Sequence, residues 1–395
     1  MPISKRCGFC GNTETSDNKV LETDNNSICF SCAETALFLF DTGLPETPNK
    51  EEIEHTPESI KEMFNEHVIG QEHPKKILSV AIYNHLKRIQ NPHKDIEKTN
   101  ILYRGKTGTG KTHLAKAASN NLDLPLAIVD ATTLTSAGYV GDDINSIVKK
   151  LYYEADEDIE KTEKGIVFID EMDKIAKSSP SGSRSKDIAG EAVQQGLLKV
   201  IEGSDVSFTI KDSLSMMEQN ITINTENILF ICSGSFPGLG EKSGEVNIQA
   251  FGVNKKEESN KLDIENFIDY GMIPELMGRL HLLSEFNDLG INDLIRILTE
   301  PKNSIINQYK NLFSLDGVQL EFTNNCLKQI AKQAIKRKTG ARALRSIVEN
   351  IILDYTYKIK HYKNKKISID YKRNKYTPII ENIETEQKGN LQLEA

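Results

Sequence analysis

From Ile60 onward, segments whose apolar residues recur at helical spacing alternate with short, nearly continuous apolar runs: NILYR near 100, LAIVD near 126, GIVFID at 165 and NILFICS at 227. Continuous apolar runs suit strands buried on both faces, and their alternation with helices predicts a parallel sheet covered by helices. After about Arg279 strand signals thin out and helical periodicity dominates, as in INDLIRILTEPKNSIINQYKNLF and ARALRSIVENIILDYTYKIK. A smaller, mainly helical second domain is expected there. Two stretches lack apolar periodicity. GLPETPNKEEIEHTPES, rich in Pro, Glu and Thr, reads as a flexible linker, and the Glu-, Asn- and Gln-rich end reads as a polar tail. The pattern thus divides the chain into an N-terminal module at 1–42, a linker at 43–58, a large α/β domain at 59–286, a small domain at 287–376 and a tail at 377–395, with no internal repeat.

Chemistry enters where the first strand run ends. Gly105-Lys106-Thr107-Gly108-Thr109-Gly110-Lys111-Thr112 follows NILYR directly and satisfies GxxxxGK[ST] in a strand–loop–helix context. Glycines let the backbone curl so that its N–H groups face phosphate oxygens, and the helix starting near Lys111 presents its positive end to the same anion. Lys111 is expected on the β- and γ-phosphates and Thr112 on Mg²⁺, a hard cation that uses few protein ligands. Some 60 residues later, GIVFID ends in Asp170 and Glu171, a Walker B pattern. Asp170 is expected to hold the metal through water and Glu171 to polarise the attacking water. Ser233, at the polar end of NILFICS, is a weaker candidate for a group near the γ-phosphate.

The full chain has 395 residues, 38% hydrophobic and 27% charged, with a net charge of −8. That balance disfavours broad binding to nucleic acid or anionic membrane, and no Lys/Arg cluster interleaved with aromatics offsets it. No run approaches the roughly 18 apolar residues of a membrane span, and the N-terminus lacks an apolar signal core, so a cytoplasmic setting is expected. Of six cysteines, Cys232 and Cys326 stand alone in apolar patterns and read as buried small hydrophobes. The other four form Cys7-x2-Cys10 and Cys29-x2-Cys32 with 18 residues between the pairs, the spacing of a structural Zn²⁺ site. Four thiolates leave no open position, so the metal is expected to fold the module rather than do chemistry.

Together these motifs resemble the ClpX family of AAA+ unfoldases over roughly residues 1–365. Val68-Ile69-Gly70-Gln71 matches the box that packs around adenine, and Gly138-Tyr139-Val140-Gly141 the pore loop, in which Tyr139 and Val140 grip a polypeptide. In Pro274–Leu280 the family pattern makes Arg279 a finger reaching a neighbouring subunit's ATP; in Thr339-Gly340-Ala341-Arg342 it makes Arg342 a sensor. The resemblance implies an AAA+ large domain with a small helical domain, a homo-oligomeric ring expected to be hexameric, and ATP hydrolysis coupled to pulling protein substrates, with adaptors, toward a ClpP-type peptidase. It implies no peptidase activity in the chain itself. In the family the cysteine module dimerises and receives substrates and adaptors; here Ala36-Leu37-Phe38-Leu39-Phe40 could serve such contacts or complete the module's own core.

Two departures qualify the match. The Arg-Lys-His loop usual near the pore entrance is absent from SDVSFTIKDSLSMMEQNITIN, which removes positive charge that would attract a C-terminal carboxylate. The peptidase-docking stretch reads Asn247-Ile248-Gln249-Ala250-Phe251-Gly252, with Gln249 at the aliphatic anchor. A remodelling chaperone without a peptidase is therefore the alternative within the class, and a nucleic-acid motor the alternative outside it.

Overall fold

The computed structural model describes residues 5–8, 10, 13–15, 18–22, 27–41, 55–135, 142–177, 184–211, 218–239 and 263–383. The chain forms two compact units, Met1–His55 and Thr56–Ala395. In the first, β1 (Val20–Glu22) pairs antiparallel with β2 (Ser27–Cys29), placing Val20 opposite Cys29, and α1 (Phe30–Asp41) follows. Its buried apolar core among the described residues is Cys7, Val20 and Cys29, with Cys32 packed against them. A segment of about 40 residues buries too little apolar surface to offset the entropy of ordering it by apolar burial alone.

The second unit opens with α2 (Pro57–His67) and α3 (Glu72–Gln90). Helix α2 starts inside the stretch read as linker, because Thr56 caps it by accepting from the Ser59 N–H at 3.2 Å and Pro57 takes the first turn, where its missing N–H costs nothing. Then follow β3 (Ile101–Arg104), α4 (Lys111–Leu122), β4 (Leu126–Asp130), the two-residue strands β5 (Leu134–Thr135) and β6 (Asp142–Asp143), α5 (Asn145–Glu154), α6 (Ile159–Glu163) and β7 (Ile166–Asp170). After α7 (Arg184–Glu202) come the antiparallel pair β8 (Asp205–Lys211) and β9 (Glu218–Asn224), then β10 (Leu229–Gly234), α8 (Ile264–Tyr270), α9 (Pro274–Arg279) and β11 (Leu282–Glu285).

Five of these strands form one sheet in the order β11-β3-β10-β7-β4, every pairing parallel. Period-two geometry splits the apolar runs between two cores: Ile101, Tyr103, Ile166, Phe168, Leu229 and Ile231 face α2, α3 and α4, while Leu102, Val167, Ile169, Phe230 and Cys232 face the α5, α7 and α9 side. Because all strands run the same way, the segments following β3, β7 and β10 emerge at one edge. Ligands of open parallel sheets bind at that carboxyl edge.

The small domain contains α10 (Ile291–Thr299), α11 (Ile305–Leu315), β12 (Gln319–Phe322), α12 (Asn324–Lys336), α13 (Arg342–Tyr357), β13 (Lys365–Lys372) and β14 (Lys375–Asn382) around its own core, with Leu294, Phe313, Ile330, Leu344 and Ile367 among its buried residues. Strand β14 corrects the expectation of a polar tail from 377: it pairs with β13 through Asn382. Its polar composition is that of a mostly exposed edge, where Pro378 is tolerated, and Arg373 and Asn374 both take the positive φ that a two-residue hairpin requires. Cys232 and Cys326 are fully buried, and burial pushes both thiols up to about 12. No described helix is long and apolar enough to cross a membrane.

Candidate functional site

The loop from Gly105 to Gly110 leaves the end of β3 and delivers the chain into α4 at Lys111. Gly108 and Gly110 take φ of +82° and +105°, a backbone that L side chains rarely adopt. Gly105 N–H donates to Gly234 O at 3.1 Å, fixing the loop to the end of β10, and Thr109 Oγ1 donates to Lys106 O at 2.9 Å. The Lys111 ammonium is buried and donates to the carbonyls of Gly105 and Lys106. Burial lowers its pKa, and the charge of Asp170 opposes that shift. Lys106 is different: its exposed ammonium pairs with Asp288.

At the end of β7, Asp170 gathers three donors: Thr112 Oγ1 at 3.4 Å, Ser233 Oγ at 2.8 Å and the Glu171 N–H at 3.0 Å. Glu171 sits at φ +60°, a left-handed conformation that costs a non-glycine residue on the order of 1–2 kcal/mol and turns its exposed side chain off the strand direction. Three residues after Asp170, Asp173 accepts from both the N–H and the hydroxyl of Ser235 at 2.9 Å. Two carboxylate–serine rungs thus tie the end of β7 to the end of β10.

These groups converge on a cleft of about 610 Å³ between the large and small domains. Val68, Ile69, Leu289, Ile297 and Ile305 supply an apolar end; Thr107–Thr112, Asp170, Glu171, Arg342 and Arg345 supply a polar one. A flat base and a polyphosphate need that division. A groove of about 810 Å³ between α4 and α5 is larger but contains neither Lys111 nor the two carboxylates, so the chemistry and not the volume selects the cleft.

The domains meet at the P-loop itself. Ala341 N–H donates to Gly108 O at 3.1 Å, and a Cβ on Gly108 would lie 2.2 Å from Thr339 O. Gln71, buried beside the cleft, donates to Thr109 O at 3.3 Å and Asn287 O at 2.9 Å and accepts from Asn287 N–H at 2.9 Å.

The structure therefore brings Lys111, Thr112, Asp170, Glu171, Ser233, Val68, Ile69 and Arg342 to one place. It does not bring Arg279, which ends α9 and pairs with Glu202 at 2.9 Å. Tyr139 and Val140, and Gln249, Ala250 and Phe251, lie outside the described residues. Within Ala36–Phe40, the one described side chain, Leu37, is 66% exposed. Asp173 and Arg345 were not singled out in the sequence, and Gln71 was named there only as the last residue of the adenine box; Arg345 had a signal, standing three residues after Arg342 on one helix face.

In the N-terminal unit the sulfurs of Cys7, Cys10, Cys29 and Cys32 all lie within 4.8 Å of one another, and Cys10 and Cys29 are 3.7 Å apart. A tetrahedron with metal–sulfur bonds of about 2.3 Å has edges of about 3.8 Å, so the donor set fits zinc. Hydrogen bonding with Cys29 and then Cys10 pushes the Cys32 thiol up to about 12, the cost of gathering thiolates that a dication would reverse.

A sheet of this order with a P-loop, two carboxylates and a small domain closing over them defines an AAA+ protein. Residues 96–283 match the family described as AAA domain (Cdc48 subfamily), and residues 289–360 match the C-terminal, D2-small domain, of ClpB protein. The chain is 43% identical to the ATP-dependent Clp protease ATP-binding subunit ClpX of Porphyromonas gingivalis, over 92% of this chain and 94% of that protein. It is 43% identical to the protein of the same name from Treponema denticola, over 91% of each, and 41% identical to that of Bacteroides thetaiotaomicron, over 93% and 94%. The chain belongs to the ClpX family.

Proposed function

We propose that this protein hydrolyses ATP in a homo-oligomeric, six-membered ring and uses the energy to unfold protein substrates and thread them through a central pore. The observation that carries this reading is the convergence of Lys111, Thr112, Asp170, Glu171 and Arg342 on one cleft with an apolar end. Backbone N–H groups of 107–112 and Lys111 hold the phosphates, and Arg342 adds positive charge from the small domain. A Mg²⁺ ion held by Thr112 and Asp170 supplies charge neutralisation when bound. Glu171, free of the bonds that occupy Asp170, orients water and takes its proton. Arg279, turned away from its own cleft, serves the neighbour's. Tyr139 and Val140 grip the substrate, and Cys7, Cys10, Cys29 and Cys32 hold a structural zinc in a module that receives substrates and adaptors.

The relatives' names include a Clp protease, and a ClpP-type peptidase in the cytoplasm is the proposed recipient. Gln249 at the expected aliphatic anchor forfeits about 1.5–3 kcal/mol of apolar burial per subunit, repeated around the ring, so docking is weak or altered. Binding to a ClpP-type peptidase in ATP, measured beside Gln249→Ile, checks this: the variant gains affinity, and tight binding by the natural chain without gain refutes it. The core reading is tested by Lys111→Ala, which is expected to lose ATP binding and with it all unfolding of a tagged stable protein. ATP affinity left unchanged would remove the P-loop from the account.

A further inference from the structure

Helix α9 is only six residues long and carries Arg279 as its last residue, so the position of that guanidinium depends on what holds the helix. Helix α7 holds both ends. At the start of α9, buried Gln194 accepts from Ile273 N–H at 2.8 Å and donates to Ile175 O at 2.8 Å and Gly271 O at 3.3 Å. At the finish, Arg279 Nε donates to Glu202 Oε1 at 2.9 Å, while Asn100 Nδ2 fixes the Arg279 carbonyl at 3.3 Å. Gln194 and Glu202 lie roughly two turns apart on α7 and roughly 80° apart around its axis, on one broad face.

The form of the Arg279–Glu202 contact matters. A guanidinium offers five N–H donors in a rigid fork. Glu202 takes the Nε edge by one bond, and the terminal Nη groups make no hydrogen bond among the described residues. The pair is half-exposed, at 57% and 40%, a setting in which ion pairs add little to stability. Its effect is directional: the side chain is braced at its inner nitrogen while its outer edge stays open to an incoming anion.

We propose that Glu202 is the positioning residue of the arginine finger, bracing Arg279 by Nε so that its Nη edge faces the phosphates bound by the neighbouring subunit. This rests on the reading of Arg279 as that finger. Holding the fork in advance spares the ordering of a flexible side chain at the moment of phosphoryl transfer, when misplacement by about 1 Å can cost on the order of a hundredfold.

The experiment measures steady-state ATPase kcat and KM, and ATP affinity without turnover, for the full chain and for Glu202→Ala, Glu202→Gln, Arg279→Ala and the double variant Glu202→Ala/Arg279→Ala. Glu202→Ala is expected to lower kcat by about tenfold or more with KM, affinity and melting temperature unchanged. Glu202→Gln, which keeps an acceptor oxygen, restores most of the rate. The double variant is no slower than Arg279→Ala alone, because the brace has nothing left to hold. Wild-type kcat in Glu202→Ala beside a strongly slowed Arg279→Ala overturns the brace while leaving the finger. A further loss in the double variant, or a melting temperature that falls with kcat, overturns it as well. Full turnover by Arg279→Ala removes the finger reading, and the brace with it.

Discussion

Asp170 and Glu171 are neighbours with opposite surroundings. Asp170 accepts from Thr112, Ser233 and the Glu171 N–H, whereas the Glu171 carboxylate accepts no hydrogen bond among the described residues and is exposed. An engaged carboxylate is fixed in place; an unengaged one is available to water. Glu171→Gln is therefore expected to bind ATP normally and to hydrolyse it about 10²–10⁴ times more slowly. Nucleotide affinity and turnover measured on the same preparation check this, and near-normal turnover would falsify the assignment. The P-loop and the carboxylate pair were legible in the sequence because their chemistry fixes residue types at short, regular spacing. The clamping roles of Gln71, Asp173 and Gln194 were not: each ties together groups distant in sequence, as Gln71 does to Asn287, and a buried amide or carboxylate has no spacing that announces its partners.

Helix α3 is anchored to the segment before β7 by His85, whose Nε2 donates to Lys164 O at 2.9 Å. Burial lowers this imidazole to about 4, so it stays neutral in the fold although it would protonate near 6.5 when unfolded. The unfolded chain binds more protons between those values, so stability falls as pH drops from about 6.5 to about 4, by up to about 3 kcal/mol, and is unaffected by this group above 6.5. Denaturant unfolding of the natural chain and His85→Gln across that range is expected to show a shallower pH slope in the variant. At the domain junction, Gly340→Ala places a Cβ at φ +56° and 2.8 Å from Gly108 O, and is expected to weaken ATP binding by deforming the P-loop from outside. Isothermal titration with an ATP analogue checks it against Gly278→Ala, where nothing stands within 4 Å. The buried strands could be read from their continuous apolar runs. Strand β14 and the β8–β9 pair could not, since an edge or one-sided strand shows only half the pattern and its polar half imitates a loop.

At the scale of the whole molecule the two units have different sources of stability. Chelation is expected to unfold the module at 1–42, whose buried apolar core among the described residues is Val20 with the thiols of Cys7 and Cys29, while the Thr56–Ala395 unit melts at an unchanged temperature. Circular dichroism of the full chain with and without chelator would show a loss confined to one transition; two shifted transitions would contradict it. Mixing Arg279→Ala with Lys111→Ala subunits is expected to raise ATPase activity above the residual rate of either variant alone, since an intact P-loop then meets an intact finger across a boundary. Within the larger unit, the close approach of Gly108 to Thr339 and Gly340 has a mechanical meaning. Elsewhere in the core a shift of a few tenths of an ångström is soaked up by side chains turning about their bonds. Here main chain lies against main chain, with Ala341 N–H bonded to Gly108 O at 3.1 Å, so a displacement of the P-loop is expected to shift the start of α13, and the small domain would then be the pointer of a gauge whose spring is the phosphate loop.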